Sequence, residues 1–304
     1  MMKHLISLKD YSEKEILEII SLAEKIKKNP KKFKNKLQNK MLLMIFAKPS
    51  LRTHLSFDVG MNKLGGHSIY YNLADSVLGK KESIKDGAKV MSRYVDIIMA
   101  RLYEHKEMEE LARYSNVPII NGLDNEEHPC QALGDLLTIK EKFKKLKGLT
   151  LAYLGDANNN VTHSLMYACS KVGMNMIISC PNKKEFLPNS RVLKEAKKKG
   201  KIEIIFDPKQ AVKNADIVYT DTWQSYHIKD SEMKSRVKIL KDYQINNRLF
   251  NINKKALFMH CLPAGRGYEV TDGVIDSKRS IVYDQAYNRL PIQQAILLKL
   301  LKKV

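Results

Sequence analysis

Ten short strand candidates, most of them runs rich in apolar residues and separated mostly by stretches of helical periodicity, restrict the fold of this chain more than any other feature. A run such as MLLMIFA is typical of a strand buried on both faces, because a half-exposed strand alternates apolar and polar residues. Strands that alternate with helices predict right-handed βαβ units and parallel sheets. The runs occupy residues 41–47, 67–71, 96–100, 117–121, 150–154, 175–180, 202–206, 216–220, 256–260 and 280–283.

Two helical segments indicate how the chain is organised. An amphipathic helix is predicted from residue 11 to about 28, with Ser12 and Glu15 forming a capping box. Another is predicted over 128–145, and we expect the domain boundary inside it or just after it. The predicted fold class is α/β, with two doubly wound domains, each a mainly parallel sheet flanked by helices. We expect a first domain at 1–137, a second at 138–285, and a C-terminal helix at 286–304 that packs back on the first.

The length and composition agree with two ordinary globular cores. The chain has 304 residues, 44% of them hydrophobic and 28% charged, and a domain typically takes about 150 residues. No run approaches the roughly 18 apolar residues that a membrane helix needs, and the charged N-terminus lacks a secretory signal pattern. The four cysteines stand singly, so neither a disulfide framework nor a zinc site is predicted. We expect a cytoplasmic protein without membrane contact.

The net charge of +20, from 53 basic and 33 acidic residues, opens an alternative from another functional class. A catalytically silent, basic protein that binds nucleic acid would carry such an excess. Runs such as KEAKKKGK, however, contain mostly lysine and lack the interleaved aromatic residues on which bases stack. They favour a solvated surface, and we expect no nucleic-acid partner.

Polar residues directly follow most of the predicted strands. Ligands of open α/β sheets bind beyond the carboxyl ends of the strands, so these residues predict one candidate site between the two domains. They are Lys48, Ser50, Arg52 and Thr53; Arg101 and His105; Asn158, Asn159 and Asn160; Asp221 and Ser225; and Cys261, Leu262 and Pro263.

The segment Ser50-Leu51-Arg52-Thr53 lies where a strand passes into a helical pattern. Backbone N–H groups and hydroxyls at a helix N-terminus can surround an anion, and an arginine offers paired donors to phosphate oxygens. The same pattern fits an ordinary helix start, with Ser50 as the N-cap and Arg52 exposed to solvent. Local chemistry leaves both interpretations open.

Other polar residues carry similar pairs of interpretations. Arg101 follows an apolar strand, where a buried guanidinium needs an anionic ligand or a structural carboxylate. His128 starts a helix, whose dipole favours a neutral ring that either donates to a carbonyl oxygen or serves in packing. Arg289 is either a ligand residue or part of a domain-joining ion pair. Asp221 and Ser225 either bind an ammonium group or cap a helix.

Two further chemistries are disfavoured by the local pattern. GDANNN, from Gly155, is neither GxGxxG nor GxxxxGK[ST], which argues against NAD and ATP. Its amides suit a zwitterionic or carboxylate ligand, or an ordinary turn. The neighbours His260 and Cys261 suggest a base and a nucleophile, but adjacent residues of a strand point to opposite faces. No cysteine nucleophile is predicted.

Seven segments follow one another over nearly the whole chain: FAKPSLRTHLSF, MARLYEH, HPCQALGDLLT, GDANNN, DTWQS, HCLPAGRGYEVTD and DQAYNRL. Together they resemble the aspartate/ornithine carbamoyltransferase family, and HCLPA, HPxQ and DQAxNR resemble its ornithine branch rather than its aspartate branch. The resemblance implies a first domain that binds carbamoyl phosphate and a second that binds the amino acid. It also implies a homotrimer, or a multiple of trimers, with active sites near the subunit interfaces.

The resemblance further implies a reaction and the residues that perform it. A carbamoyl group passes from carbamoyl phosphate to the side-chain amine of L-ornithine, giving L-citrulline and phosphate without a metal or cofactor; another acceptor, such as putrescine, is the alternative. Catalytic positions are matched by Arg101, His128, Cys261 and Thr53. Carbamoyl-phosphate-binding positions are matched by Ser50, Leu51, Arg52, Thr53, Arg101, His128, Gln131 and Arg289. Ornithine-binding positions are matched by Asn160 (or its neighbour Asn159), Asp221, Ser225, Tyr226, Cys261 and Leu262.

Five positions depart from the family pattern. Leu51 and His54 replace the threonine and arginine of STRTR. Tyr226 and His227 replace the methionine and glycine of the SMG loop that closes over ornithine, which leaves the acceptor amine open. Val77 stands where the family offers a polar side chain to the phosphate of the neighbouring subunit.

Overall fold

Nine strands and twelve α-helices alternate along residues 2–76, 78–224 and 230–304, the part of the chain that the computed structural model describes. The strands are β1 (Met41–Phe46), β2 (His67–Asn72), β3 (Ile97–Arg101), β4 (Ile119–Leu123), β5 (Thr150–Leu154), β6 (Asn175–Ser179), β7 (Ile202–Ile205), β8 (Ile217–Thr220) and β9 (Leu257–His260). The helices are α1 (Glu13–Lys28), α2 (Leu51–Lys63), α3 (Ile84–Met91), α4 (His105–Tyr114), α5 (Pro129–Phe143), α6 (Asn160–Val172), α7 (Ser190–Lys197), α8 (Pro208–Lys213), α9 (Asp230–Leu240), α10 (Asn247–Phe250), α11 (Asp272–Ile275) and α12 (Val282–Leu300). Short 3-10 helices occupy Leu8–Asp10, Pro30–Phe33, Leu73–Asp75, Lys184–Phe186 and Lys241–Tyr243.

The chain divides into two compact units, each with one parallel sheet. Unit 1 comprises Met1–Leu137 and Tyr287–Val304, and unit 2 comprises Thr138–Ala286. Strand order is β2-β1-β3-β4 in unit 1 and β7-β6-β5-β8-β9 in unit 2, and all ladder pairs are parallel. The predicted α/β class, with two parallel sheets flanked by helices, is confirmed. Among the described residues, no helix has both the length and the apolar character needed to cross a membrane.

The central strands of unit 1, β1 and β3, are apolar up to Arg101 at the end of β3, because both of their faces are covered. Ile45 of β1 and Ile98 of β3 are fully buried, and they pack in one core with Leu111 of α4. The edge strand β2 differs, since most of its side chains are exposed. Burial on both faces therefore explains the continuous apolar runs, whereas β2 keeps a polar and aromatic outer surface.

Unit 2 has its own core beneath the tips that carry polar residues. Leu154 of β5, Val218 of β8 and Phe258 of β9 are fully buried in one cluster. Helix α6 follows β5 and ends at Gly173, whose φ of 73° is the left-handed conformation that a glycine adopts without strain. These elements hold the ends of β5, β8 and β9 in fixed positions.

The structure confirms one local prediction and corrects another. The capping box of α1 forms, because Ser12 and Glu15 each accept a hydrogen bond from the other's backbone N–H. The strand predicted over 280–283 is wrong: Ser280 makes only an isolated bridge to Phe258, and α12 begins at Val282. The SIVY segment has the apolar character of a buried strand. After the single bridge at Ser280, however, the chain continues into α12.

Candidate active site

Buried polar side chains gather at the carboxyl edge of the unit 1 sheet. The hydroxyl oxygen of Thr53 accepts from Arg101 Nη1 at 3.5 Å and from Arg289 Nη2 at 3.2 Å. Arg289 Nη1 also donates to Gln131 Oε1 at 2.6 Å, and Gln131 Nε2 donates to Asp135 Oδ1 at 2.8 Å. All five residues are buried. The structure therefore brings Thr53, Arg101, Gln131 and Arg289 together, as expected of one site.

The electrostatics of this cluster favour an anion. Burial, together with the charges of Arg101 and Arg52, lowers the pKa of Arg289 to about 10. Burial, followed by the charges of Arg289, Arg101 and Arg52, holds the pKa of His128 well below its usual value. The imidazole of His128 is therefore neutral at neutral pH, while the guanidinium groups remain charged and repel one another. A bound anion would relieve that repulsion.

The start of α2 adds a second anion-binding feature. Ser50 is the N-cap of this 13-residue helix, and its side-chain oxygen accepts from Thr53 N at 3.3 Å. The capping role considered for Ser50 is thus observed, but Arg52 is only half-exposed. Leu51 is 69% exposed, so it contributes its backbone rather than its side chain to this helix end. The N–H groups of the first turn lie beside the Thr53 hydroxyl, as an anion site requires.

His54, which departs from the family pattern, packs as an aromatic ring. Its ring centroid lies 4.6 Å from that of Tyr70 and 5.9 Å from that of Phe46. The rings of Phe46 and Tyr70 stack with centroids 5.0 Å apart. The substitution therefore exchanges a charged group for a contact between α2 and β2. Val77, a further departure in this unit, lies outside the described residues.

In unit 2, the tips of β8 and β9 bring a carboxylate and a thiol into contact. Cys261 Sγ donates to Asp221 Oδ1 at 2.9 Å, and the same oxygen accepts from Thr222 N at 2.7 Å. Asp221 is 8% exposed and Cys261 is half-buried. Two of the predicted acceptor-site residues are therefore neighbours.

The ring of His260 forms hydrogen bonds with residues other than Cys261. Its Nε2 donates to Glu269 Oε1 at 3.1 Å, and its Nδ1 accepts from Leu262 N at 2.8 Å. Both ring nitrogens are engaged, which agrees with the expectation that His260 and Cys261 form no base and nucleophile pair. Leu262 has a φ of 58°, a conformation uncommon for leucine, and the bond to His260 holds its N–H.

Ligand atoms of Asp221, His260 and Cys261 lie within 4.8 Å of one another, a spacing that a metal ion can bridge. The hydrogen bonds of His260 described above would have to break before its ring could bind a metal. A thiol, an imidazole and a carboxylate suit Zn²⁺ best.

The two candidate asparagines at the start of α6 have different roles. Asn159 is the N-cap, with its side-chain oxygen accepting from Thr162 N at 2.9 Å. Its amide nitrogen donates to Tyr153 Oη at 2.7 Å and to the backbone oxygen of Asp156 at 2.6 Å. Asn160, half-buried, is the first residue of the helix. The side chain of Asn159 thus fixes the turn before α6.

The predicted acceptor residues Ser225 and Tyr226, with His227, lie outside the described residues. Helix α9, which follows them, is anchored by a buried ion pair between Arg236 and Asp156 that the sequence analysis did not identify. Burial raises the pKa of Asp156 to about 6, although the charge of Arg236 opposes this. The local signal is weak, because Arg236 precedes the mixed segment VKIL.

A parallel α/β fold with buried guanidinium groups at the carboxyl ends of its strands is suited to binding a small anion there. Two family profiles match this chain: the carbamoyl-P binding domain of aspartate/ornithine carbamoyltransferase over residues 3–141, and the Asp/Orn binding domain over residues 147–300. The chain therefore belongs to the aspartate/ornithine carbamoyltransferase family, which confirms the resemblance seen in its motifs.

Individual relatives are similar over their whole lengths. The ornithine carbamoyltransferase of Archaeoglobus fulgidus is 49% identical over 99% of this chain and 98% of that protein. The anabolic ornithine carbamoyltransferase of Pyrococcus furiosus is 47% identical over 97% and 95%. The solved ornithine carbamoyltransferase from Pyrococcus furiosus has a TM-score of 0.92 at 46% identity and covers 97% of this chain and 96% of its own. The solved ornithine transcarbamoylase from Giardia lamblia has a TM-score of 0.91 at 39% identity, with coverages of 99% and 98%.

Proposed function

We propose that this protein transfers the carbamoyl group of carbamoyl phosphate to the side-chain amine of L-ornithine, giving L-citrulline and phosphate. The observation that carries the proposal is the buried cluster in which Arg101 and Arg289 both donate to Thr53. Two guanidinium groups and a helix N-terminus suit a phosphorylated donor. The names of the relatives, which are 46–49% identical, support ornithine as the acceptor.

The phosphate and the carbamoyl group of the donor are bound by different residues. The phosphate binds the first turn of α2, where Ser50, Leu51 and Arg52 contribute backbone and side-chain donors, and it also meets Arg289. The carbamoyl oxygen meets Thr53, Arg101 and His128. Gln131 holds the guanidinium of Arg289 in place. A neutral His128 donates one hydrogen bond without adding a further positive charge to the site.

Catalysis then rests on positioning and electrostatics. The neutral amine attacks the carbamoyl carbon, and negative charge grows on the carbamoyl oxygen. The bond between the carbamoyl carbon and the phosphate oxygen breaks, a C–N bond forms, and the proton that the amine loses passes to the departing phosphate. One well-aimed donor to the developing charge contributes about 3 to 4 kcal/mol. The reaction transfers no electrons, so it requires no redox cofactor.

The acceptor binds through residues of unit 2. Asp221 and Ser225 bind the α-ammonium group, and Asn160 binds the α-carboxylate. Cys261 and Leu262 lie beside the attacking amine, and Tyr226 completes the segment that covers the amino acid. The contact between Cys261 and Asp221 supports this arrangement, because it fixes the thiol beside the carboxylate.

We also propose that the protein works in the cytoplasm as a homotrimer or a multiple of trimers. Unit 1 exposes an apolar surface formed by β2 and α3, here called the β2–α3 face, around a cavity of about 280 Å³. Tyr94 is 78% exposed, and Ile69 and Val90 are each 44% exposed. Exposed apolar patches of this kind are typical of subunit interfaces. A second copy of this chain is the occupant that we propose for it.

The test is ureido-product formation from carbamoyl phosphate, with L-ornithine, putrescine and L-lysine supplied separately and the product identified by mass. Clear preference for ornithine would support the proposal and show that Tyr226 and His227 can replace the usual methionine and glycine. Preference for putrescine would retain the donor site and overturn the acceptor. No turnover with any amine would overturn carbamoyl transfer itself.

A further inference from the structure

We propose that His105 and Asp124 are positioning residues whose ion pair joins two loops: residues 102–104, which follow Arg101 and are here called the Arg101 loop, and residues 124–128, which end at His128 and are here called the His128 loop. The inference rests on the proposed function, in which the side chains of Arg101 and His128 meet the carbamoyl oxygen. Neither His105 nor Asp124 is assigned to a substrate. Their effect on the reaction acts through the loops that they join.

Asp124 is the centre of the loop between β4 and α5. Its side chain is fully buried, and Oδ1 accepts from the backbone N–H groups of Glu126 and Glu127 at 2.8 and 2.7 Å. Its own N–H donates to Glu127 O at 3.0 Å. These bonds close a tight turn that ends directly before His128. The position of the imidazole therefore depends on the carboxylate of Asp124.

The other oxygen of Asp124 reaches the neighbouring loop. Oδ2 accepts from His105 Nδ1 at 2.7 Å and from Asn121 Nδ2 at 2.8 Å. His105 is the first residue of α4 and follows Arg101 by four residues, so it marks the end of the Arg101 loop. Its side chain is 11% exposed. One carboxylate thus fixes both loops at once.

A second set of contacts joins the same loops to the end of β1. Lys48 Nζ donates to Asn125 Oδ1 at 2.6 Å and lies 4.3 Å from the centre of the Tyr103 ring. Asn125 N donates to Tyr103 O at 2.9 Å. Tyr103 belongs to the Arg101 loop and Asn125 to the His128 loop. The His105–Asp124 pair is therefore one of several contacts that join these two loops.

The surrounding acidic groups favour the protonated form of the His105 ring. Burial by itself lowers the pKa of His105, but the hydrogen bond and charge of Asp124, with the charges of Glu126 and Glu127, outweigh burial and raise it. Glu109 on α4 lies 3.8 Å from His105 Nε2 and is half-exposed. A buried carboxylate that loses one of its donors rearranges its remaining contacts. The turn before His128 is the part that would move.

The experiment compares three substitutions of His105. In His105→Asn, the side-chain amide lies near the position of Nδ1 and can still donate to Asp124. In His105→Gln the amide lies near the position of Nε2 and misses that oxygen, and His105→Ala removes the donor. Glu109→Gln is the control, because it changes an exposed neighbour of the same ring. The kcat and the KM for each substrate are measured, with inorganic-phosphate binding by calorimetry and thermal unfolding.

We expect His105→Gln and His105→Ala to lower kcat at least about tenfold, because a displacement of about 1 Å can cost on the order of a hundredfold in rate. Phosphate affinity and the KM for ornithine stay within about twofold, since the N-terminus of α2 and the residues of unit 2 are untouched. His105→Asn and Glu109→Gln retain kcat within about threefold. If His105→Ala does not fold, the Asn and Gln variants decide the question.

Two results would overturn the inference. One is a kcat within about threefold of the wild type in folded His105→Gln. The other is an equal loss in the Asn and Gln variants that follows their loss of thermal stability, which is the behaviour of a purely structural residue. If the wild type is active and either result is found, only the inference about His105 and Asp124 is overturned. An inactive wild type overturns the proposed function, and the inference falls with it.

Discussion

Arg289 and Gln131 lie 158 residues apart in the sequence, yet Nη1 of the arginine donates to Oε1 of the glutamine at 2.6 Å. The other terminal nitrogen of Arg289 reaches Thr53, in a third segment of the chain. One planar guanidinium thereby joins α12, α5 and α2. This relationship explains why the segments HPCQ, SLRT and DQAYNRL belong to one site.

We expect Arg289→Lys to raise the KM for carbamoyl phosphate at least about tenfold, because a lysine cannot form both bonds in the same geometry. Steady-state kinetics with carbamoyl phosphate as the varied substrate measure this change. Lys299→Gln is the matched control, since it removes a half-exposed cation from the same helix. A KM within about twofold of the wild type in folded Arg289→Lys would remove Arg289 from the donor site.

Arg101→Ala tests stabilisation of the carbamoyl oxygen. It should reduce turnover at least about a hundredfold, because it removes a charged donor from the transition state. The rate at saturating concentrations of both substrates gives kcat, and circular dichroism checks that the variant is folded. Near-normal turnover in a folded variant would show that Arg101 takes no part in the chemical step.

Two of the five histidines of unit 1, His128 and His105, should have pKa values that are shifted in opposite directions. Burial and the neighbouring arginines lower the pKa of His128, so its contribution to stability is present above the usual histidine pKa and is lost as the pH falls. Although burial opposes it, Asp124 raises the pKa of His105, so its contribution is present below that value and is lost as the pH rises. Nitrogen-15 spectra of labelled histidines would follow both. A charged His128 ring at neutral pH would contradict the expectation.

Cys261→Ser should retain turnover within about tenfold, because the serine hydroxyl can still donate to Asp221 and no covalent intermediate is needed. Intact-mass measurement during turnover should find no carbamoyl group attached to the wild-type protein. Cys261→Ala serves as the comparison that lacks the donor. Trapping a carbamoylated Cys261 would replace direct transfer with a two-step mechanism.

The β2–α3 face should be needed for assembly. Tyr94→Asp places a charge in its exposed apolar surface, and we expect a smaller particle by light scattering, since burying an unpaired charge opposes association. Tyr268→Asp is the control, because Tyr268 is also about half exposed, at 51%, but belongs to unit 2. An unchanged molar mass for Tyr94→Asp would move the interface elsewhere.

The runs that the sequence predicts best are those whose burial is uniform. The apolar run at β1 and the capping box of α1 follow from local chemistry, and both are present. The strand prediction over 280–283 is wrong because SIVY has the same apolar character whether it continues a sheet or starts a helix. A single bridge from Ser280 to Phe258 before α12 is a tertiary outcome.

The sequence by itself determined the alternation of strands and helices, the set of polar residues at strand ends, and the family. Tertiary structure decided which of those residues touch: Arg289 with Thr53, Asp221 with Cys261, and His105 with Asp124. It also decided that His128 and His105 have opposite pKa shifts. The physical reason is that propensity acts between near neighbours, whereas burial and charge depend on groups brought together from distant segments.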